Sequence, residues 1–299
     1  KACNLASQRL ESLLAGAGDG EDELVSMAMR EVAPAKKTAA YCLAGGVVGS
    51  VATFVCYLLH LDPYGGMSLS MDSVRAALFG ATLALPVMAI QYMKWSPVLT
   101  QRFPALNAIR AREEKEEGSL YAGMTDPQLV GITVTGSAVT CVCELAFLQE
   151  GLQTIVTDIL GTWGVSTTET LPVIAALVLG SAGRGLLGEA NYAIDPEERE
   201  VLRNALSNCD RYYDVMGTDK DKAHDMAIAF KAVVYVYLRD NMSTKTWAFW
   251  TSAAQMAYLI FLWRTTGNLA APIVALSMAT SVDIREYKKR HPFDFEEQQ

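Results

Sequence analysis

The sequence predicts an all-α fold, a polytopic transmembrane helical bundle of about six spans with a helical soluble insertion between spans four and five. Three observations predict it. Long uncharged runs alternate with strongly charged loops in a 299-residue chain that is 51% hydrophobic, with a mean hydropathy of +0.17. The apolar residues are bunched rather than spaced at a surface-helix period, and the stretch from Asp126 to Leu148 is long enough to cross a hydrocarbon core of ~30 Å at ~1.5 Å per residue. Basic residues also favour alternate loops, as membrane insertion requires.

Residues 1–36 form a polar N-terminal segment, in which Val25 to Val32 has the pattern of a short amphipathic helix ended near Pro34. The chain opens on Lys1 and shows no signal-like segment, which is compatible with removal of an organelle-targeting peptide. Residues 37–126 hold two spans and a charged loop. The first span is Thr38 to Leu61, behind Lys36 and Lys37. Asp62-Pro-Tyr-Gly-Gly66 is a turn, and Asp72 or Ser73 caps the second span, Val74 to Met93. Ala105 to Glu117 reads as a surface helix in the following loop.

Residues 127–188 hold spans three and four. Asp126-Pro127 supplies a cap and a first helical position. The third helix runs to about Leu160, outgrowing the bilayer or bending near Gly151. The fourth span is Glu169 to Leu187. Residues 189–245 are the insertion. Asp195-Pro-Glu-Glu198 places acids at the positive end of a helix dipole, and one apolar face runs on to Tyr213, with a stop at Gly217. His224 to Arg239 is apolar but short, carries Lys231 midway, and reads as interfacial or re-entrant. Residues 246–299 contain the last two spans, Thr246 to Trp263 and Asn268 to Val282, and a charged tail.

Loop charges test this layout. Lys36/Lys37, the 94–125 loop, the 184–245 insertion and Arg285 to Arg290 fall on one side. The opposite loops at 62–73 and 161–168 carry no Lys or Arg, and the last has only Arg264. Both termini then lie on the positive side. Trp95, Trp163, Trp247 and Trp263 sit near span ends, as an interfacial aromatic belt expects.

Composition narrows the function classes. The net charge is −8, and no basic-aromatic stripe is present, which argues against nucleic acid. The six cysteines show no CxxC or Cys/His ligand spacing, and the three histidines, His60, His224 and His291, are scattered, so no metal site is expected. Gly183-Arg-Gly-Leu-Leu-Gly188 spells G-x-G-x-x-G but follows a membrane helix rather than a strand. With Gly45-Gly-Val-Val-Gly-Ser50 it reads as a close-packing helix face. Asp219-Lys-Asp221 lacks the glycine and terminal acid of a calcium loop. Gly180-Ser-Ala-Gly183 is not a nucleophile elbow.

The most informative stretch is Asp126 to Leu148, which is almost wholly apolar or small but holds one carboxyl, Glu144, deep inside. A carboxyl at that depth is costly and defaults to a functional hypothesis. Three readings stand: a structural acid bonded to helix backbone or Thr140, a partner or pigment contact, and a catalytic group. His60, Gln91, Gln153 and Gln255 are candidate ligands for a chlorophyll magnesium, against a plainer reading as interfacial polar residues.

Cys143-Glu144-Leu-Ala-Phe-Leu-Gln-Glu-Gly151, Ile174-Ala-Ala-Leu-Val-Leu-Gly-Ser-Ala-Gly183 and Thr266-Gly-Asn-Leu-Ala-Ala-Pro-Ile-Val-Ala-Leu276 follow one another in an order that resembles the CPBP family of intramembrane proteases. That family includes CAAX prenyl-protein endopeptidases and bacteriocin-processing or self-immunity proteins. The likeness covers about Pro127 to Asp283, interrupted by the insertion. It implies a water activated by glutamate and histidines for amide hydrolysis. The family's Glu-Glu pair aligns with Cys143-Glu144, and its Arg with Leu148, or with Gln149 in a register one residue later. Its Phe-x-x-x-His aligns with Leu179 to Gly183, its final His with Leu276, and its Asn region with Ser277 to Thr280.

One carboxyl is thus left of a site needing several partners, which implies a non-catalytic relative. The Asp62-Pro-Tyr-Gly-Gly turn, Trp95-Ser96 and Phe103-Pro-Ala-Leu106 resemble the chloroplast branch. That resemblance implies a thylakoid protein with its basic side towards the stroma. It would act as a scaffold, assembly factor or accessory subunit among other membrane proteins of a photosystem or chlorophyll-synthesis complex. No cofactor is then required, though chlorophyll or carotenoid fits the setting. An active endopeptidase using Glu144 and a pigment-binding antenna subunit are the alternatives.

Overall fold

A computed structural model describes residues 2–17, 32–162, 170–216 and 220–292, and among these every regular element is helical. The expected Val25 to Val32 helix lies outside the described residues. The polar N-terminal segment nonetheless contains α1 (Ala2–Ala17), which the sequence reading did not anticipate. Next come α2 (Pro34–Leu58), α3 (Met71–Thr82) and α4 (Leu85–Trp95). Short α5 (Pro97–Arg102) leads into α6 (Pro104–Tyr121). A rod from Asp126 to Thr162 follows, made of α7 (Asp126–Thr140), a π-helical stretch (Cys141–Gln149) and α8 (Glu150–Thr162). After it come α9 (Thr170–Ala190), α10 (Pro196–Ser207), α11 (Cys209–Met216), α12 (Lys220–Thr266) and α13 (Ala270–Arg290).

Among the described residues three helices are long and apolar enough to cross a membrane: Pro34–Leu58, Asp126–Thr162 and Leu171–Ala190. The pair α3 and α4, bent by 40°, makes a fourth if the two count as one broken span. These are fewer than the six spans the sequence suggests. The difference lies in α12 and α13, whose stretches at Thr246 to Trp263 and Asn268 to Val282 are less apolar. Both stretches are packed inside the bundle. Leu259, Ile260, Leu262 and Trp263 are buried on α12, and Ala271, Ala275 and Ala279 on α13. By contrast α2 turns Leu43, Val47, Val51 and Phe54 outward, each more than half exposed. Outward-facing large apolar residues on a helix with a polar-poor surface are what a lipid-facing wall requires.

Local causes fix the breaks. Pro86 cannot donate to the carbonyl four residues earlier, and the chain bends between α3 and α4. At the bend the Leu83 carbonyl accepts a bond from the Tyr258 hydroxyl at 2.6 Å. Thr125 and Gln128 close a reciprocal capping box ahead of α7. Small residues set helix approach. A Cβ on Gly45 would sit 3.0 Å from Thr135 of α7, and one on Gly185 would sit 2.7 Å from Phe249 of α12. Both glycine-rich runs therefore pack helices, although Gly46 and Gly183 face open space.

His224 to Arg239 is neither re-entrant nor separate from the helix at Thr246. Both belong to α12, a single 47-residue helix about 70 Å long at its ordinary rise. No proline or glycine interrupts it, and Lys231 is accommodated because its ammonium faces outward to Asp210, 2.8 Å away. The first half of α12 packs with α1, α10 and α11 around Phe230, Val234, Leu202 and Cys209, all buried, together with Ala6 and Leu10 of α1. Arg9 lies over the ring of Tyr212, 3.5 Å from its centroid, which fastens α1 to this cluster. The amphipathic helix begun at Asp195 breaks at Asn208 and resumes as α11 rather than running unbroken to Gly217.

Candidate polar cavity

Two sequence motifs meet at one end of the bundle. In the turn after α2, the Asp62 carboxylate accepts from the Tyr64 and Gly66 amides at 3.0 and 2.6 Å. The Gly65 carbonyl in turn accepts from the Leu269 amide and the Trp263 indole, both at 3.1 Å. Asn268 is buried and saturated: its amide nitrogen donates to Gly66 O and Ser73 Oγ, and its Oδ1 accepts from Ala270 N. Gly66, at φ +80°, could not carry a Cβ without striking the Gly267 carbonyl. The Thr-Gly-Asn-Leu letters that best carry the family resemblance therefore form a structural clasp.

Nearer the bundle centre, the π-helical stretch carries Glu144. Wide π-turns shift the side-chain register of a helix and recur at functional sites. Glu144 does not stand alone: Arg184 Nη1 of α9 lies 3.3 Å from its Oε1. This corrects the expectation of an isolated acid, and the partner is not Thr140. Sequence reasoning missed Arg184 because it sits inside a glycine-rich run and beside, rather than at, the aligned histidine position. Leu179 is half exposed and shares an outward stripe with Gly183, four residues on, where an added Cβ would meet nothing. The inward stripe is one residue over, at Gly180, Arg184 and Gly188. A histidine at 183 would face away from Glu144.

Arg184, with Glu144 behind it, closes the floor of a cavity of about 380 Å³. Its walls are same-face stripes of several helices. α7 contributes Thr133, Gly136, Ser137 and Thr140. α12 contributes Ala248, Thr251, Ser252 and Gln255, and α13 contributes Leu276, Thr280 and Asp283. Each set spans eight residues, seven steps of helical rise, so the cavity runs about 10 Å along the helix axes. At the opposite end to the floor, Lys94 of α4 bonds Glu113 of α6 at 2.6 Å and lies 3.6 Å from Asp283. The Trp95 indole donates to Asp283 at 2.8 Å, and Arg290 donates to the Trp95 carbonyl at 2.9 Å.

The remaining sequence candidates scatter. Leu276 is buried in the cavity wall, and Cys143 is half buried. Gln149, fully buried, turns away from the cavity; its amide donates to Ala176 O at 3.0 Å and accepts from Leu177 N at 3.1 Å. Gln91 and Gln255 line the cavity. Gln153 is bonded by Arg264, and His60 is exposed in a left-handed turn at φ 57°. Among the described residues no three His, Cys, Asp or Glu side chains converge as a metal site would need. Comparison with protein-family models, with curated proteins and with solved structures finds no match to this chain.

Proposed function

We propose that this chain is an integral membrane scaffold, built on a CPBP-like bundle that has lost proteolytic chemistry. The observation that carries the reading is the pairing of Glu144 with Arg184. A working site needs a group near the acid that can exchange a proton with water. Arginine keeps its proton throughout the accessible pH range, and the other aligned position in the cavity wall is Leu276. The carboxylate serves as a structural counter-ion there. A labelled peptide incubated with purified protein tests this: turnover that disappears in Glu144→Gln would replace the scaffold reading with the endopeptidase one.

The docking surface in this reading is the helical cluster formed by α1, α10, α11 and the first half of α12, acting as a soluble head outside the bilayer. Its outward face mixes Arg199, Glu200 and Arg203, a pattern suited to polar docking. The partners would be other membrane proteins. A thylakoid setting with the basic side towards the stroma, and a role in a photosystem or chlorophyll-synthesis complex, rest on the sequence resemblance alone. Affinity isolation from the native membrane, run beside an Arg199→Glu/Arg203→Glu protein, tests the head: a partner set unchanged by the double substitution would reject it. An absorbance spectrum of gently solubilised protein separates the antenna reading, which requires pigment bands.

A further inference from the structure

We propose that the polar cavity binds a neutral, polyhydroxylated group: a hexosyl ring, carried as the headgroup of a membrane glycolipid or as a free sugar. The inference is independent of whether Glu144 is catalytic. Its first support is the distribution of polarity. Hydroxyls and amides are expensive inside a membrane bundle unless something hydrogen-bonds to them. Here α7 sets Thr133 and Ser137 one turn apart, α12 sets Ser252 and Gln255 almost one turn apart, and α13 adds Thr280, all towards one space.

The second support is Ser137. It is only 3% exposed, lines the cavity, and its hydroxyl has no hydrogen-bond partner. A buried hydroxyl left unpaired costs about 1–3 kcal/mol, so its place is explained by a guest that bonds to it. The third is charge. The cations lining the cavity, Lys94, Arg112 and Arg184, are matched in number by Glu113 and Asp283 on the same lining and by Glu144, which pairs with Arg184 from behind the wall. No net charge remains to favour a phosphate, a carboxylate or an amine. What remains is a set of neutral donors and acceptors, with the aromatic side chains of Tyr41 and Tyr121 also on the lining. The volume, about 380 Å³, lies at the small end of ligand sites and is about ten times the share of one water molecule.

The test uses intact protein purified in a zwitterionic, sugar-free detergent. Tryptophan fluorescence and thermal unfolding are followed while a monohexosyl diacylglycerol, a free hexoside, diacylglycerol and phosphatidylglycerol are titrated separately. Saturable binding of the monohexosyl lipid is expected, with diacylglycerol and phosphatidylglycerol at least about tenfold weaker. Competition by the free hexoside identifies a soluble sugar as sufficient; its failure to compete identifies the lipid. Ser137→Val and Gln255→Leu should each weaken binding about tenfold while the melting temperature without ligand stays within a few degrees. The headgroup comparison on unaltered protein decides the matter even if a variant fails to fold. Equal binding of all lipids, no binding of either sugar compound, or unchanged affinity in both folded variants overturns the proposal.

Discussion

Replacing Arg184 by methionine isolates the worth of the floor ion pair. At 3.3 Å, two unit charges attract by about 1.3 kcal/mol in water and about 5 kcal/mol at an effective dielectric constant of 20. The side chains are 39% and 19% exposed for Arg184 and Glu144, and Arg184 borders a polar cavity, so the lower half of the range applies. A ceiling comes from chemistry: an unpaired carboxyl can take up a proton instead, which from an ordinary value near 4.3 costs roughly 3.7 kcal/mol at pH 7. Arg184→Met should therefore cost about 2–3 kcal/mol. Glu144→Gln/Arg184→Met, with neither charge, should return to within about 1 kcal/mol of the parent, because a buried pair removed whole leaves nothing unpaired. Reversible unfolding in mixed micelles at pH 7 measures all the corners of the cycle. A harmless Arg184→Met, or a double variant as unstable as the sum of its singles, would show that the two groups do not interact.

Asp62→Ala removes the acceptor of two amides and loosens the clasp on residues 266–269; about 1.5–3 kcal/mol should be lost, read in the same unfolding assay. Gly80→Val should cost about 2–3 kcal/mol, since a Cβ there overlaps the Ala271 backbone of α13 and neither backbone can yield. Glu198, at the start of α10, has its carboxyl pushed above the ordinary range by burial and by Asp195, with Arg112 acting in the opposite direction. The folded chain then holds that proton more tightly than the unfolded one, and stability declines as pH rises from the ordinary glutamate value through the folded one. Glu198→Gln should raise the melting temperature at neutral pH and have no such effect below pH 4; a neutral-pH melting temperature at or below the parent's would contradict the assignment.

Periodicity and run length made the outer helices legible. Thr38 to Leu61, Ala105 to Glu117 and Glu169 to Leu187 coincide within a few residues with α2, α6 and α9, because long apolar or capped helices declare themselves by composition. Pro127 and the long apolar run foretold a rod from Asp126 to about Leu160, and the structure describes that rod from Asp126 through Thr162. Three things were not legible. The break near Leu83 falls inside an apolar run, where only Pro86 hints at it. The joining of His224–Arg239 to Thr246–Trp263 was obscured by Lys231, whose ammonium reaches sideways to Asp210. The cavity was hidden for a different reason: Thr133, Ser137, Thr251 and Ser252 form no motif along the chain, and only the superposition of their faces shows a shared polar space. Glu144 was found from depth alone, but its partner requires knowing which face of α9 turns inward.

Helix α12 joins the two ends of the molecule without a joint. Phe230 at the heart of the outer cluster and Gln255 in the cavity wall stand 25 positions apart on one uninterrupted rod, about 38 Å by helical rise. A rod lacking a hinge transmits tilt and rotation rather than absorbing them. Whatever grips the outer end thus levers the pocket's wall against α7 and α13, and whatever fills the pocket stiffens the handle.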